Sequence, residues 1–322
     1  MPSYIEWLRS HIGQRKTILV YATAVVRDER GRILFQRRAD FREAWWGLPG
    51  GVLEIGETLA ECAVREAREE TGLSVEPIRL VGVYSGPQYD VHYPNGDEVQ
   101  QWTAAFECRI TGGQARADGE EISAIGYFDS DAVPPSPPWY TDMACDAVAG
   151  REAATFEMPR SNPAPDLINH IVLMRSLIGK EWLIAPAAAA CIRDAGGRLL
   201  LERRADTGEW VPPGGFMDLG ESIAETAARE AYEETGLHIE PTRLVGVYSG
   251  REHQYTYPNG DKIQGCASLF ECRVTGGELR LDESEIDAVD YFPLDALPQP
   301  MAARWLRRLG DLAANHAYAV FL

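Results

Sequence analysis

Cysteine is scarce in this chain, and the few present form no motif. The six at 62, 108, 145, 191, 266 and 272 include no CxxC pair and no Cys/His cluster with zinc spacing, which argues against a zinc site and a disulfide framework. Cys108 and Cys272 stand in equivalent "FEC" contexts, where a buried strand thiol is expected. Long apolar runs are missing too: stretches such as Ile184 to Ile192 fall well short of a membrane span. The opening "MPSYIEWLRSHIG" puts Glu6 and Arg9 inside a helical pattern and has no signal-peptide core, so a cytoplasmic chain is expected. Positive charge is short as well. Lys and Arg total 31 against 49 Asp and Glu, a net charge of −18 at pH 7. That balance disfavours docking on polymeric nucleic acid or anionic lipid, because both reward a basic surface. It leaves small phosphorylated ligands open, provided a cation mediates the contact.

What is present is present twice. "RLVGVYSG" occurs at 79–86 and 243–250, "YPNGD" at 93–97 and 257–261, and "TGG" at 111–113 and 275–277. The intervals 243−79, 257−93 and 275−111 all equal 164. Upstream, "QRRAD" (36–40) matches "ERRAD" (202–206) at an interval of 166, so the first copy has two extra residues in the loop before its glycines. A unit of about 160 residues is long enough to bury its own core, whereas solenoids stack short units three or more deep. The chain of 322 residues is therefore expected to hold two duplicated domains, 1–160 and 161–322, divided in the Pro/Ser/Asn-rich "MPRSNPAP" (158–165). Each copy reads as an opening helix (4–12; 166–178), a β-rich run, a helix near 58–71 stopped by Gly72, strands near 78–85, 98–110 and 124–128, and a short helix near 141–150. Asn-Gly at 95–96 marks a hairpin. Strands and helices mix without βαβ regularity, which predicts an α+β fold or an α/β/α sandwich.

The helix at 58–71 crowds its carboxylates. Glu66, Glu69 and Glu70 project on one face, as do Glu230, Glu233 and Glu234 in the second copy, and like charges at this spacing repel by a few tenths of a kcal/mol per pair. One reading is a solvated acidic face. Against it, Ala60, Ala63, Val64 and Ala67 make the other side small and apolar, and glycines at 50, 51, 56 and 72 recur at 214, 215, 220 and 236. Hard divalent cations would make such a cluster favourable, since Mg²⁺ takes oxygen ligands and keeps positions open for water and phosphate. A Pro-Gly-Gly turn lets backbone approach closely.

The spacing G-x5-E-x7-R-E-U-x-E-E-x-G-U, with U an aliphatic or similar residue, resembles the signature of the Nudix hydrolase family. The first copy meets it with Gly51, Glu57, Arg65, Glu66, Glu69, Glu70 and Gly72, the second with Gly215, Glu221, Arg229, Glu230, Glu233, Glu234 and Gly236. Ala67/Ala231 and Leu73/Leu237 fill the apolar slots. The resemblance implies a tandem duplication of the Nudix α/β/α sandwich and hydrolysis of a nucleoside diphosphate linked to another moiety, by water attack on phosphorus with Mg²⁺ or Mn²⁺. It implies that the three glutamates of each helix hold metal, one of them serving as base. Arg65 and Arg229 would orient them, Glu57 and Glu221 would support that network, and the carbonyls of Gly50 and Gly214 would be backbone ligands. The family often adds a loop carboxylate, for which Glu121 and Glu285 are in register; a plain polar loop is the other reading.

Substrate contacts are less marked. Trp46 and Trp210 are in register and suit either a base or core packing. Arg37, Arg38, Arg203 and Arg204 suit phosphate or nearby acids, with phosphate preferred for one of each pair. Tyr89 and Tyr255 lie about where some dinucleoside-polyphosphate hydrolases place a tyrosine. The implied partner is a small nucleotide-type substrate, with the two halves forming an intrachain pseudo-dimer, alone or within a further homo-oligomer. The competing reading is a nucleotide-sensing or scaffold protein in which one or both Nudix folds bind without turnover.

Overall fold

A computed structural model describes residues 2–39, 45–119, 121–160, 167–281 and 285–322. Most of the predicted boundary segment 158–165, and part of the longer loop of the first copy, lie outside the described residues. Six helices are present among them: α1 (Tyr4–Ile12), α2 (Leu59–Thr71), α3 (Pro138–Ala149), α4 (His170–Ile178), α5 (Ile223–Thr235) and α6 (Ala303–Ala314). None is long and apolar enough to cross a membrane.

Each half is built on one mixed sheet plan. In the first, strand Thr17–Arg27 runs parallel to Glu98–Gly113, which pairs antiparallel with Leu73–Tyr84. The short strand Gly50–Val52 lies antiparallel on the other edge of Thr17–Arg27. A second group pairs Ile33–Arg38 with Trp46–Gly47 and Ile122–Phe128. The second half repeats this register with Leu183–Ile192, Lys262–Gly277, Leu237–Tyr248 and Gly214–Phe216. Helix α2 packs on one face of the first sheet and α3 on the other, which is the expected sandwich. Helix α3 begins at Pro138, three residues before the sequence reading placed it. A proline at the first helical position loses no hydrogen bond there, so the helix starts early.

Local chemistry sets the ends of the two glutamate-rich helices. Thr58 accepts from the Glu61 amide while Glu61 reaches back to the Thr58 amide, a reciprocal cap repeated by Ser222 and Glu225. Both helices stop at a left-handed glycine, Gly72 at φ 71° and Gly236 at φ 73°.

The halves share one core. Leu8 and Ile12 of α1, Met174 and Ile178 of α4, and Ile18 and Ile184 of the opening strands belong to a single buried cluster. Several polar contacts across this seam come in matched pairs. Tyr4 Oη accepts from the Ile184 amide at 3.0 Å, and His170 Nε2 accepts from the Ile18 amide at 3.2 Å. Ser249 Oγ accepts from the Leu59 amide and Ser85 Oγ from the Ile223 amide, each at 2.9 Å. Phe106 meets Phe321, and Phe156 meets Phe270, edge to face.

Candidate functional site

An arginine organises the acidic helix in each half. Arg65 donates to Glu57 at 2.8 Å and to Glu69 at 3.2 Å, and contacts Glu66 at 2.5 Å; its second amino group also reaches the Val52 carbonyl. Arg229 repeats the pattern with Glu221, Glu230 and Glu233 at 2.7, 2.8 and 3.0 Å, and with the Phe216 carbonyl. These contacts fix the guanidinium between the glycine turn and the helix. Hydrogen bonds to Glu57 raise the pKa of Arg65, so it stays charged in every usable buffer.

The third glutamate of each helix points elsewhere. Glu70 Oε2 accepts from the Gly50 amide at 2.9 Å, and Glu234 Oε2 from the Gly214 amide at 2.8 Å. Both carboxylates are only 5% exposed. Burial pushes Glu70 up to about 8 and Glu230 up to about 7. Glu66 is also raised, by burial first and then by Glu69 and Glu57, and Glu234 is raised by burial together with Glu202 and Glu230. Glu69 and Glu233, by contrast, have side chains 62% and 53% exposed. Each half thus combines two sheltered carboxylates with a third that is largely exposed and held on one side by the arginine.

A Cβ on Gly51 would fall 2.3 Å from Glu66 Oε1, and one on Gly215 would fall 2.4 Å from Glu230 Oε1. Without a side chain at these positions the turn sits directly against the carboxylate, which any Cβ would have to displace. Among the described residues no three acidic, histidine or cysteine side chains already surround a common point. Arg65 and Arg229 hold most of the acidic groups instead. The donor set still fits Mg²⁺ or Mn²⁺: all the side chains are hard oxygens, two per half are desolvated without full compensation, and backbone lies against them.

The remaining candidates divide. Arg38 lies 3.6 Å from Glu70 and 3.8 Å from Glu121, bringing that loop carboxylate to the edge of the first cluster, where its side chain is 65% exposed. Glu285 belongs to the charged surroundings of Glu202. Arg204 pairs with Asp206 at 2.9 Å, Arg203 with Asp287 at 2.6 Å, and Arg37 is exposed. Trp46 packs on Phe128 and Trp210 on Phe292 at centroid distances of 5.0 and 4.9 Å. Tyr89 is buried with its hydroxyl donating to Asp142, and Tyr255 packs on Tyr257.

Sequence reasoning missed two sets of residues. One is the wall that each half receives from the other. An open cleft of about 1470 Å³ beside Glu57, Arg65 and Glu69 is also lined by Arg251, Glu252 and Arg307 of the second half. Gln264 accepts from the Gly56 amide at 2.6 Å and donates towards the Glu57 carbonyl at 3.3 Å, while Gln100 does the same for Gly220 and Glu221 at 2.8 and 2.7 Å. The other is the pair Gln36 and Glu202, which stood in plain view as the one difference between "QRRAD" and "ERRAD".

Comparison with known proteins adds the family. The NUDIX domain model matches residues 18–145 and again 183–312. A MutT-like protein of Streptomyces ambofaciens is 38% identical over 116 residues, which is 36% of this chain and 68% of that protein. An ADP-ribose pyrophosphatase of Methanocaldococcus jannaschii is 32% identical over 115 residues, 36% of this chain and 64% of its own length. Among solved structures, an ADP-ribose pyrophosphatase from Streptococcus suis matches at 26% identity and a TM-score of 0.34, covering 42% of this chain and 96% of that one.

Proposed function

Because the chain belongs to the Nudix family and carries two of its domains, we propose that it is a two-site pyrophosphohydrolase dependent on Mg²⁺ or Mn²⁺. The domains are taken as 1–160 and 161–322. Its substrate would be a nucleoside diphosphate linked to a second moiety: a nucleoside triphosphate, a dinucleoside polyphosphate, ADP-ribose or a nucleotide sugar. The observation that carries this reading is the arginine–glutamate network formed twice, with a glycine turn against it that tolerates no side chain.

In the first half Glu66, Glu69, Glu70 and the Gly50 carbonyl would hold the cation, with Glu121 available at the rim; in the second, Glu230, Glu233, Glu234, Gly214 and Glu285 take those places. When bound, the cation neutralises the diphosphate and acidifies water. Arg65 and Arg229 keep the carboxylates in register, supported by Glu57 and Glu221. One glutamate of each trio accepts the proton of the attacking water. Since the relative from Methanocaldococcus jannaschii is named for ADP-ribose, that compound heads the panel of probes.

The test is turnover of that panel by the full chain with Mg²⁺, with Mn²⁺, and with excess chelator. Hydrolysis of at least one member, abolished by chelator and restored by either ion, is expected. Undiminished hydrolysis in chelator would overturn the metal assignment, and turnover of no member would favour a protein that binds nucleotides without cleaving them.

A further inference from the structure

The two acidic clusters differ by one buried charge. Gln36 and Glu202 occupy the same strand position, opposite Ile125 and Val289 in equivalent ladders. Gln36 is 1% exposed and hydrogen-bonds the Glu70 carboxylate, so a neutral donor already serves that acid. Glu202 is fully buried, and among the described residues neither of its carboxylate oxygens has a hydrogen-bond donor. The acids around it are Glu234, Glu230 and Glu285, and Arg204 is a cation beside them. That cation is committed elsewhere, since Arg204 grips Asp206 through two nitrogens at 2.9 and 3.0 Å. Its counterpart Arg38 instead lies against Glu70 and Glu121. A buried carboxyl group with no donor and no dedicated counter-ion is a ready oxygen ligand, and a divalent cation among Glu202, Glu230 and Glu234 would give it a partner.

We propose that Glu202 is an additional cation ligand of the second half, so that this half holds a divalent ion more tightly than the first, where Gln36 takes its place. The inference rests on the metal-dependent reading above and adds to it a difference between the two sites that the shared motif does not contain. It identifies the second half as the one that stays loaded when free Mg²⁺ or Mn²⁺ falls.

The experiment is Mn²⁺ binding to the full-length protein, read by the loss of the free-ion electron paramagnetic resonance signal. The second half is isolated by silencing the first with Glu66→Gln and Glu69→Gln, and the first by Glu230→Gln and Glu233→Gln. The second half should bind Mn²⁺ at least fivefold more tightly than the first. Adding Glu202→Gln, which installs the residue that the first half carries at this position, should remove that advantage; adding Gln36→Glu to the isolated first half should strengthen its binding at least fivefold. The second substitution keeps the question answerable should Glu202→Gln fail to fold. Smaller changes in both arms overturn the role of Glu202 while leaving the metal reading intact. No Mn²⁺ binding by the unaltered chain overturns both.

Discussion

At the scale of single residues, the site depends on carboxylates held where they are least comfortable. Glu70 and Glu234 are buried beside other acids, and each accepts from a backbone amide, that of Gly50 and that of Gly214. Glu69 and Glu233 lie largely in solvent, so replacing them tests chemistry with little effect on folding. Glu69→Gln should silence the first half and Glu233→Gln the second, each with an unfolding midpoint within about 2 °C of the parent, as for surface substitutions worth under about 0.5 kcal/mol. A large loss of stability in either would show that the side chain supports the fold. His170 makes a different residue-scale prediction. It is fully buried, accepts from the Ile18 amide, and burial lowers its pKa to about 3. The unfolded chain therefore takes up a proton, from about pH 6.5 downwards, that the folded chain refuses. The stability this group contributes is complete above pH 6.5 and is lost as pH falls towards 3, at up to about 1.4 kcal/mol per unit. His170→Tyr copies the Tyr4 arrangement of the other half. Denaturant titrations from pH 7 to 4 should show a shallower loss of stability in that variant than in the parent; parallel slopes would mean that His170 is not held neutral.

At the scale of elements, the glycine turn and the glutamate helix work as one piece. The helix is capped by Thr58 and ended by Gly72, and its inward face of Cys62, Ala63 and Ala67 packs on the sheet. The turn fits because Gly51 has no side chain to meet Glu66. Gly51→Ala should therefore displace that carboxylate and cost the first half about 10²-fold in rate, as misplacements near 1 Å do. With the second half silenced, an unchanged rate would show that the turn yields without disturbing Glu66. These parts were legible in the sequence because each imposes a residue type at a fixed spacing: glycine for close approach, three acids at helical intervals, an arginine within reach. Gln36 and Glu202 were not legible in the same way. A polar residue inside an otherwise apolar strand pattern reads alike whether it faces solvent, a neighbour or a ligand, and only burial distinguishes these cases. Tyr89 shows the same limit from the other side: the family resemblance suggests a ligand contact there, while in the fold its hydroxyl donates to Asp142.

At the scale of the whole molecule, the sequence announced two copies but not how closely they depend on each other. Repeats with a constant interval reveal duplication; they carry no sign of which surfaces meet, because apolar, serine and glutamine residues like those at the seam occur throughout the chain. In the structure each half steadies the loop that leads into the glutamate helix of the other. Gln264 holds the Gly56–Glu57 backbone of the first half, Ser249 caps the Leu59 amide beside it, and Gln100 with Ser85 return the arrangement to the second half. Glu57 in turn anchors Arg65, which orients the carboxylates. A change in one half should therefore be felt in the other. In a Glu233→Gln background, where only the first half turns over, Gln264→Ala should lower kcat about tenfold, equivalent to about 1.4 kcal/mol of transition-state stabilisation, while KM changes little. Gln100→Ala should do the same to the second half in a Glu69→Gln background. The residue changed lies in one domain and the rate measured belongs to the other, so loss of a local contact within the working domain cannot account for the effect. If Gln264→Ala leaves the first half at full rate while the protein stays folded, the two sites share a chain and a core but work independently.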